Sequence, residues 1–410
     1  MNVSKTGWAV LPLVLALAAC GGGSSSSDGG GNGLDLQPTA RIEPFDPSGT
    51  AKALAVAAQP VRAAASAQAT RTITLGPLVV AKQAAAVAES GVPLQIGEAR
   101  GVQDTATVAA TAALLQWQYT GRGTQAAALR FSSEGAYGVR LGVLVQALPD
   151  GAVLRFYGDA DGDAGEISAD ELRAVAARNL LGGADDTVAR TYWSPDFGGP
   201  QTVLEVEIPA AAQTAAVQLA VPRLSHLTVA PAQAAGGFTA KASGSAGSCN
   251  IDAASRPDYN DQSRSVARML FVLEDGKSYV CTGTLLNNAK SDGTPYFLSA
   301  NHCISSQAVA STLTTNWFYR SDNAAQYWRL SGGAELLYAS ATTDVSFLRL
   351  NRQPPEGIVY AGSYFGGVPS HVLFDNAGTV VVERDAYGEG QHRWHRQILA
   401  LAEEYGFTIR

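Results

Sequence analysis

His302 and Asp344 are the residues of this chain whose types and order could do chemistry. An imidazole takes up and returns a proton near neutral pH, and a carboxylate bonded to one ring nitrogen fixes which nitrogen carries that proton. His302 follows Tyr296-Phe297-Leu298-Ser299-Ala300-Asn301 and precedes Cys303; Asp344 leads into Val345-Ser346-Phe347-Leu348-Arg349-Leu350. Each therefore stands at the end of a largely apolar, strand-like run. Cys281, in Cys281-Thr282-Gly283-Thr284-Leu285-Leu286-Asn287-Asn288, and Cys303 bracket a segment that reads as two strands. A disulfide between them would clamp neighbouring strands and fix the backbone that carries the imidazole. Closing such a loop contributes on the order of 3 kcal/mol in the chain-entropy account. A His beside a Cys also suits a structural role or a metal ligand. No second His lies nearby and His226 falls far upstream, so zinc has little sequence support.

The rest of the chain must export and position these groups. Its 410 residues are 46% hydrophobic and 16% charged, with a net charge of −7, which excludes a collagen, a coiled coil or a highly charged disordered chain. The acidic balance disfavours nucleic acid as a partner of the exported chain. Residues 1–20 read as a signal peptide: Lys5, an apolar run from Trp8 to Ala19, then Cys20. Leu17-Ala18-Ala19-Cys20 resembles a bacterial lipobox, which implies acylation of Cys20 and a lipid anchor at a membrane surface. Gly21, in place of Asp, implies outer-membrane sorting by the same resemblance. Residues 21–70 read as a tether, Gly/Ser-rich to Gly33 and Ala-rich beyond.

Residues 71–230 carry short β-like runs, among them Leu115-Gln116-Trp117-Gln118-Tyr119, Tyr137 to Val145, Val153 to Tyr157 and Val203 to Ile208. Leu204, Val206 and Ile208 alternate with Glu205 and Glu207, the period of a half-buried strand, and the set predicts a β-sandwich. Within it Asp159, Asp161, Asp163 and Asp170, with Gly162 and Gly165 between them, resemble an EF-hand loop, although Ala164 shifts the later acids by one place. Calcium binding and a solvated acidic loop are the two readings. Residues 231–247 are an Ala/Gly-rich linker.

A His followed by an Asp is the order of the first two triad members in chymotrypsin-like serine proteases. Ser248-Cys249-Asn250-Ile251-Asp252, the Cys281-Thr282-Gly283 run with Asn287-Asn288, Phe297-Leu298-Ser299-Ala300-Asn301-His302-Cys303 and Thr343-Asp344 together resemble bacterial lysyl endopeptidases. The resemblance spans residues 247–362 and implies a partial trypsin-like domain at 248–363, acting on peptide or protein substrates without a required cofactor. It makes His302 the general base and Asp344 its orienting carboxylate. Arg190-Thr191-Tyr192-Trp193-Ser194-Pro195-Asp196 is similar to the region that precedes such enzymes. The family's nucleophile belongs to a Gly-Asp-Ser-Gly-Gly run, and these 410 residues contain none; Ser363 and Ser370 lack the Gly-rich turn that aims N–H groups at an oxyanion. Too few residues follow Asp344 for a second barrel, so the expectation is an interrupted, inactive enzyme in which Cys249 is a free thiol.

Residues 364–410 resemble the integrase-type core of insertion-sequence transposases, in Phe374-Asp375-Asn376 and Glu383-Arg384-Asp385-Ala386-Tyr387-Gly388. By that resemblance Asp375 is one vestigial metal-binding carboxylate of a set whose other members are absent. The expected fold is mainly β: a sandwich, the first barrel of a double β-barrel, then a short α/β fragment. The alternatives are a non-enzymatic lipid-anchored sandwich module and, from the tail alone, a remnant of DNA integration.

Overall fold

The computed structural model describes residues 41–49, 71–78, 92–158, 164–229, 255–320 and 327–364, with short pieces between 371 and 409. Cys20, Cys249, Asp159, Asp161, Asp163 and Asp375 lie outside the described residues, as do the signal segment and the 231–247 linker. The molecule is mainly β. No helix among the described residues is long and apolar enough to cross a membrane.

The first region is built from two sheets over one core. One runs Arg71–Leu75, Thr124–Ser133, Gln201–Pro209, Val153–Tyr157, Ala164–Ser168, with Gln118–Tyr119 added at Thr124–Ser133; the other runs Thr191–Trp193, Gly138–Ala147, Gln218–Leu227, Gly97–Gly101. Phe131, Leu154, Phe156, Leu204, Val206 and Ile208 from the first sheet meet Val139, Leu141, Val143, Leu219 and Leu224 from the second, all buried. Burial at about 25 cal/mol per Å² of apolar surface drives this packing.

The strand at Gln201–Pro209 departs from the half-buried pattern, for both of its faces are covered. Glu205 is fully buried and Glu207 nearly so. Arg155 reaches over them, bonding Glu205 at 3.2 Å, Glu166 at 2.7 Å and Glu207, while the Tyr157 hydroxyl donates to Glu205 at 3.1 Å. Alternation thus marked the strand but not the lid over its polar face, since a buried carboxylate needs partners that come from other strands.

Val153–Tyr157 and Ala164–Ser168 pair as an antiparallel hairpin, so a strand, not a helix, leads into the acidic loop. A helix does follow, at Ala169–Leu181, started by a capping box in which Ser168 bonds the Glu171 N–H and Glu171 bonds back. Asp170 sits in its first turn and pairs with Arg173.

The second region is one strongly curled sheet, in the order Trp328–Leu330, Thr314–Trp317, Val266–Val272, Ser278–Leu286, Tyr296–Ser299, Val345–Leu350, Ala334–Ser340. Its two end strands are consecutive in the chain, joined by Ser331-Gly332-Gly333, so the sheet bends back on itself without a closing ladder. Met269, Phe271, Leu285, Phe297, Trp317 and Leu348 fill the inside.

A strand segment ties the regions together. Leu94–Gln95 of the first region pairs with Tyr279–Val280 of the second, extending its sheet. Part of the stretch read as tether is also ordered: Arg41–Ile42 pairs with Ser363–Tyr364, and the Phe45 ring lies 5.8 Å from that of Tyr360. An aromatic side chain and a free strand edge capture a segment whose bulk composition suggests only linker. Beyond 364, His371–Val372 pairs with Thr408–Ile409, and Val381–Glu383 with Arg393–Trp394.

Candidate active site

The site is made where two strands of the second sheet end side by side. Tyr296–Ser299 and Val345–Leu350 are antiparallel neighbours, with Ser299 opposite Ser346. One strand therefore delivers His302 three residues past its end, and the other starts one residue after Asp344. The pairing closes a separation of 42 residues in sequence.

Asp344 holds His302 with both carboxylate oxygens. Oδ1 accepts the His302 backbone N–H at 2.9 Å, and Oδ2 lies 2.7 Å from Nδ1. One oxygen thus fixes the main chain and the other the ring, so the imidazole is located in both position and rotation. Asp344 itself has φ of 49°, the left-handed region that Asp tolerates better than most side chains. This turn aims the carboxylate back across the strand ends. Both side chains stay partly open, at 31% for His302 and 51% for Asp344.

Three further contacts steady the pair. The Ser346 hydroxyl donates to the Ala300 carbonyl at 3.1 Å, stitching the strand after Asp344 to the turn before His302. That same carbonyl accepts the Cys303 and Ile304 N–H groups at 3.1 and 3.2 Å. Cys281 and Cys303 form the expected disulfide, which bolts the His302 turn to the Ser278–Leu286 strand. Gly283 admits the close approach of these strands: a Cβ there would fall 2.2 Å from the Phe297 ring. Asn287, nearly buried, donates to the Glu43 carbonyl at 2.9 Å and to the Ser291 hydroxyl at 2.9 Å, which anchors the ordered N-terminal segment beside the sheet. In the sequence Ser346 is marked only by its place two residues after Asp344; its position opposite Ser299 is set by the strand register.

The other predicted positions stand apart. Ser363 lies in a strand paired to Ile42, so its backbone forms no anion-binding turn. Asp170 pairs with Arg173 in the first turn of the helix at Ala169–Leu181, and the other loop aspartates, Asp159, Asp161 and Asp163, lie outside the described residues. Among the described residues one cluster has ligand-like proximity, Cys281, His302 and Cys303, whose ligand atoms lie within 4.8 Å of one another. A small cavity at the junction of the two regions, lined by Trp193, Arg223, Glu274 and Thr312 among others, includes neither His302 nor Asp344.

That junction is polar where it is deepest. Arg140, fully buried, donates from Nε to the Ser194 carbonyl at 2.8 Å and from Nη2 to the Thr312 carbonyl of the second region at 2.6 Å. Burial pushes its guanidinium down to about 10, so it remains a cation at neutral pH. Asn179 donates to the Ser311 hydroxyl at 3.2 Å, and Arg352 donates to the Glu166 carbonyl at 2.7 Å.

Comparison with known proteins bears on both regions. Residues 74–228 match the family described as Lysyl endopeptidase N-terminal domain, and residues 243–374 match Lysyl endopeptidase, C-terminal domain. A curated lysyl endopeptidase of Pseudomonas aeruginosa is 34% identical over 306 residues, covering 69% of this chain and 61% of the relative. The chain therefore spans less than two thirds of that protein's length.

Proposed function

From a chain that carries both domains of the lysyl endopeptidase family, we propose an exported trypsin-like serine endopeptidase in which His302 is the general base and Asp344 its orienting carboxylate. The observation that carries this reading is the double hold of Asp344 on His302, through its backbone N–H and its ring. With Nδ1 directed at the carboxylate, Nε2 is left to take the proton of an attacking hydroxyl and return it to the departing amine. The carboxylate stabilises the imidazolium that forms between those two steps. The substrate is then a peptide or protein bond at an open rim, which fits the partial exposure of the pair.

The base needs a hydroxyl to serve. No Gly-Asp-Ser-Gly-Gly run occurs in the 410 residues, so in this reading the nucleophile and its oxyanion donors are not assigned to any of them. Attachment to a membrane through an acylated Cys20 completes the reading of an exported, surface-held protein. Metabolic labelling with an alkynyl fatty acid should mark the chain and be lost in Cys20→Ser.

The test of the chemistry has two arms. A fluorophosphonate serine probe should leave the 410-residue chain unlabelled. Joining the C-terminal part of the Pseudomonas aeruginosa relative after residue 374 should create peptide hydrolysis. In that fusion Asp344→Asn should lower kcat about 10⁴-fold, as expected when the imidazole loses its oriented tautomer. Full activity in the fusion bearing Asp344→Asn would remove Asp344 from the mechanism, and labelling of the unfused chain would show a nucleophile elsewhere.

A further inference from the structure

The cluster beside the candidate base has a second chemistry that the hydrolytic reading does not use. The sulfurs of Cys281 and Cys303 and an imidazole nitrogen of His302 lie within 4.8 Å of one another. Each is held by a different support: Cys281 by the Ser278–Leu286 strand, Cys303 by its N–H bond to the Ala300 carbonyl, and His302 by Asp344. Cys303 is 4% exposed and Cys281 is half-buried, whereas His302 faces outward, so the cluster is a corner with apolar walls and one open side. Zinc binds thiolate sulfur at about 2.3 Å and imidazole nitrogen at about 2.0 Å in a tetrahedral array, and keeps a fourth position for water when the protein supplies three ligands. Such an array places neighbouring ligand atoms roughly 3.3 to 3.8 Å apart. Once the sulfurs are no longer bonded to each other, these separations are within the reach of side-chain rotation to the spacing such an ion needs.

While the two sulfurs are bonded to each other they offer no thiolate. We propose that two-electron reduction of the Cys281–Cys303 disulfide converts this corner into a Cys2His site for a soft divalent cation, zinc above all. The balance is simple. Two equivalents of a small thiol are oxidised to their disulfide while the protein disulfide becomes two thiols. One zinc ion then displaces the two thiol protons and binds both sulfurs and the His302 nitrogen. Thiolate ligation selects zinc over magnesium or calcium, which prefer oxygen. The imidazole so bound cannot accept a proton, and the reduction that loosens the turn also occupies its base. This goes beyond the proteolytic reading and does not rest on it, because coordination is read directly.

The experiment uses the full chain with Cys20→Ser and Cys249→Ser, which leaves Cys281 and Cys303 as its sulfurs among the four Cys. The protein is reduced anaerobically with a water-soluble phosphine, itself converted to the oxide, and titrated with cobalt(II) as a spectroscopic stand-in. The expected result is one equivalent of cobalt with thiolate charge-transfer absorption and the intense visible bands of a tetrahedral ion, displaced by equimolar zinc. The oxidised chain should show neither. His302→Ala should weaken cobalt binding more than tenfold and alter the visible bands, and zinc should raise the Tm of the reduced chain but not of the oxidised one. A weak six-coordinate spectrum, or a spectrum and affinity unchanged by His302→Ala, would overturn the proposal. So would loss of the fold on reduction with no recovery when zinc is added.

Discussion

The sandwich of residues 71–228 keeps many of its charged groups inside, whereas the curled sheet of residues 255–362 sets its reactive pair at the rim. Glu205 and Arg140 are fully buried in the first region; His302 and Asp344 in the second remain open to solvent. Both regions satisfy polar atoms through neighbours distant in sequence, but to different ends. Arg155 holds two buried carboxylates across a sheet face, and Arg140 spans the junction to a carbonyl of the other region. Asp344 instead directs both oxygens to one residue, and both side chains stay open to solvent. A buried charge bonded across elements fixes packing, while an exposed and oriented pair is suited to chemistry.

The strongest break of this contrast is at the junction. Arg140→Ala removes a buried cation from the Ser194 and Thr312 carbonyls and leaves a cavity, and should cost about 4 kcal/mol in a denaturant titration. A loss below about 1 kcal/mol would mean that the polar seam adds little to cohesion. Next comes the rim. Gly283→Ala would press a methyl group against the Phe297 ring, and should cost roughly 2 to 3 kcal/mol. Partial recovery by Phe297→Leu would locate the strain in that contact.

The smallest expected effect concerns His226, whose Nδ1 lies 2.8 Å from the Ser133 hydroxyl. Arg100 also bonds that hydroxyl, and Glu98 stands opposite His226 on the adjacent strand. Burial first, and then the Arg100 charge, hold the imidazole below its usual range. The folded state thus disfavours the protonated ring. As pH falls through about 6.5 the unfolded chain gains protons ahead of the folded one, and stability declines. The Tm of the chain should fall more steeply between pH 7.5 and 5.5 than that of His226→Gln; parallel slopes would exclude His226 as the cause.

Much of this was legible in the sequence, for reasons that also explain the misses. Val153–Tyr157 announced itself by composition, His302 and Asp344 by their places at strand ends, and the Cys281–Cys303 bridge by its bracketing of two strand-like runs. Glu205 was misjudged because alternation reports which side chains share a face, not what covers it. Arg140 and Asn179 gave no local signal, since their partners at Thr312 and Ser311 lie more than a hundred residues away. The ordered Phe45 was hidden in a stretch of Ala and Pro for the same reason: its capture depends on Tyr360.

The central claim is that Asp344 fixes His302 as an oriented base, and the 410-residue chain can be asked directly by nitrogen-15 NMR of its histidines. At pH 8 the His302 ring should carry its proton on Nδ1, with a low-field proton resonance that disappears in Asp344→Asn. A ring that carries its proton on Nε2, or one whose spectrum is indifferent to Asp344→Asn, would contradict the account.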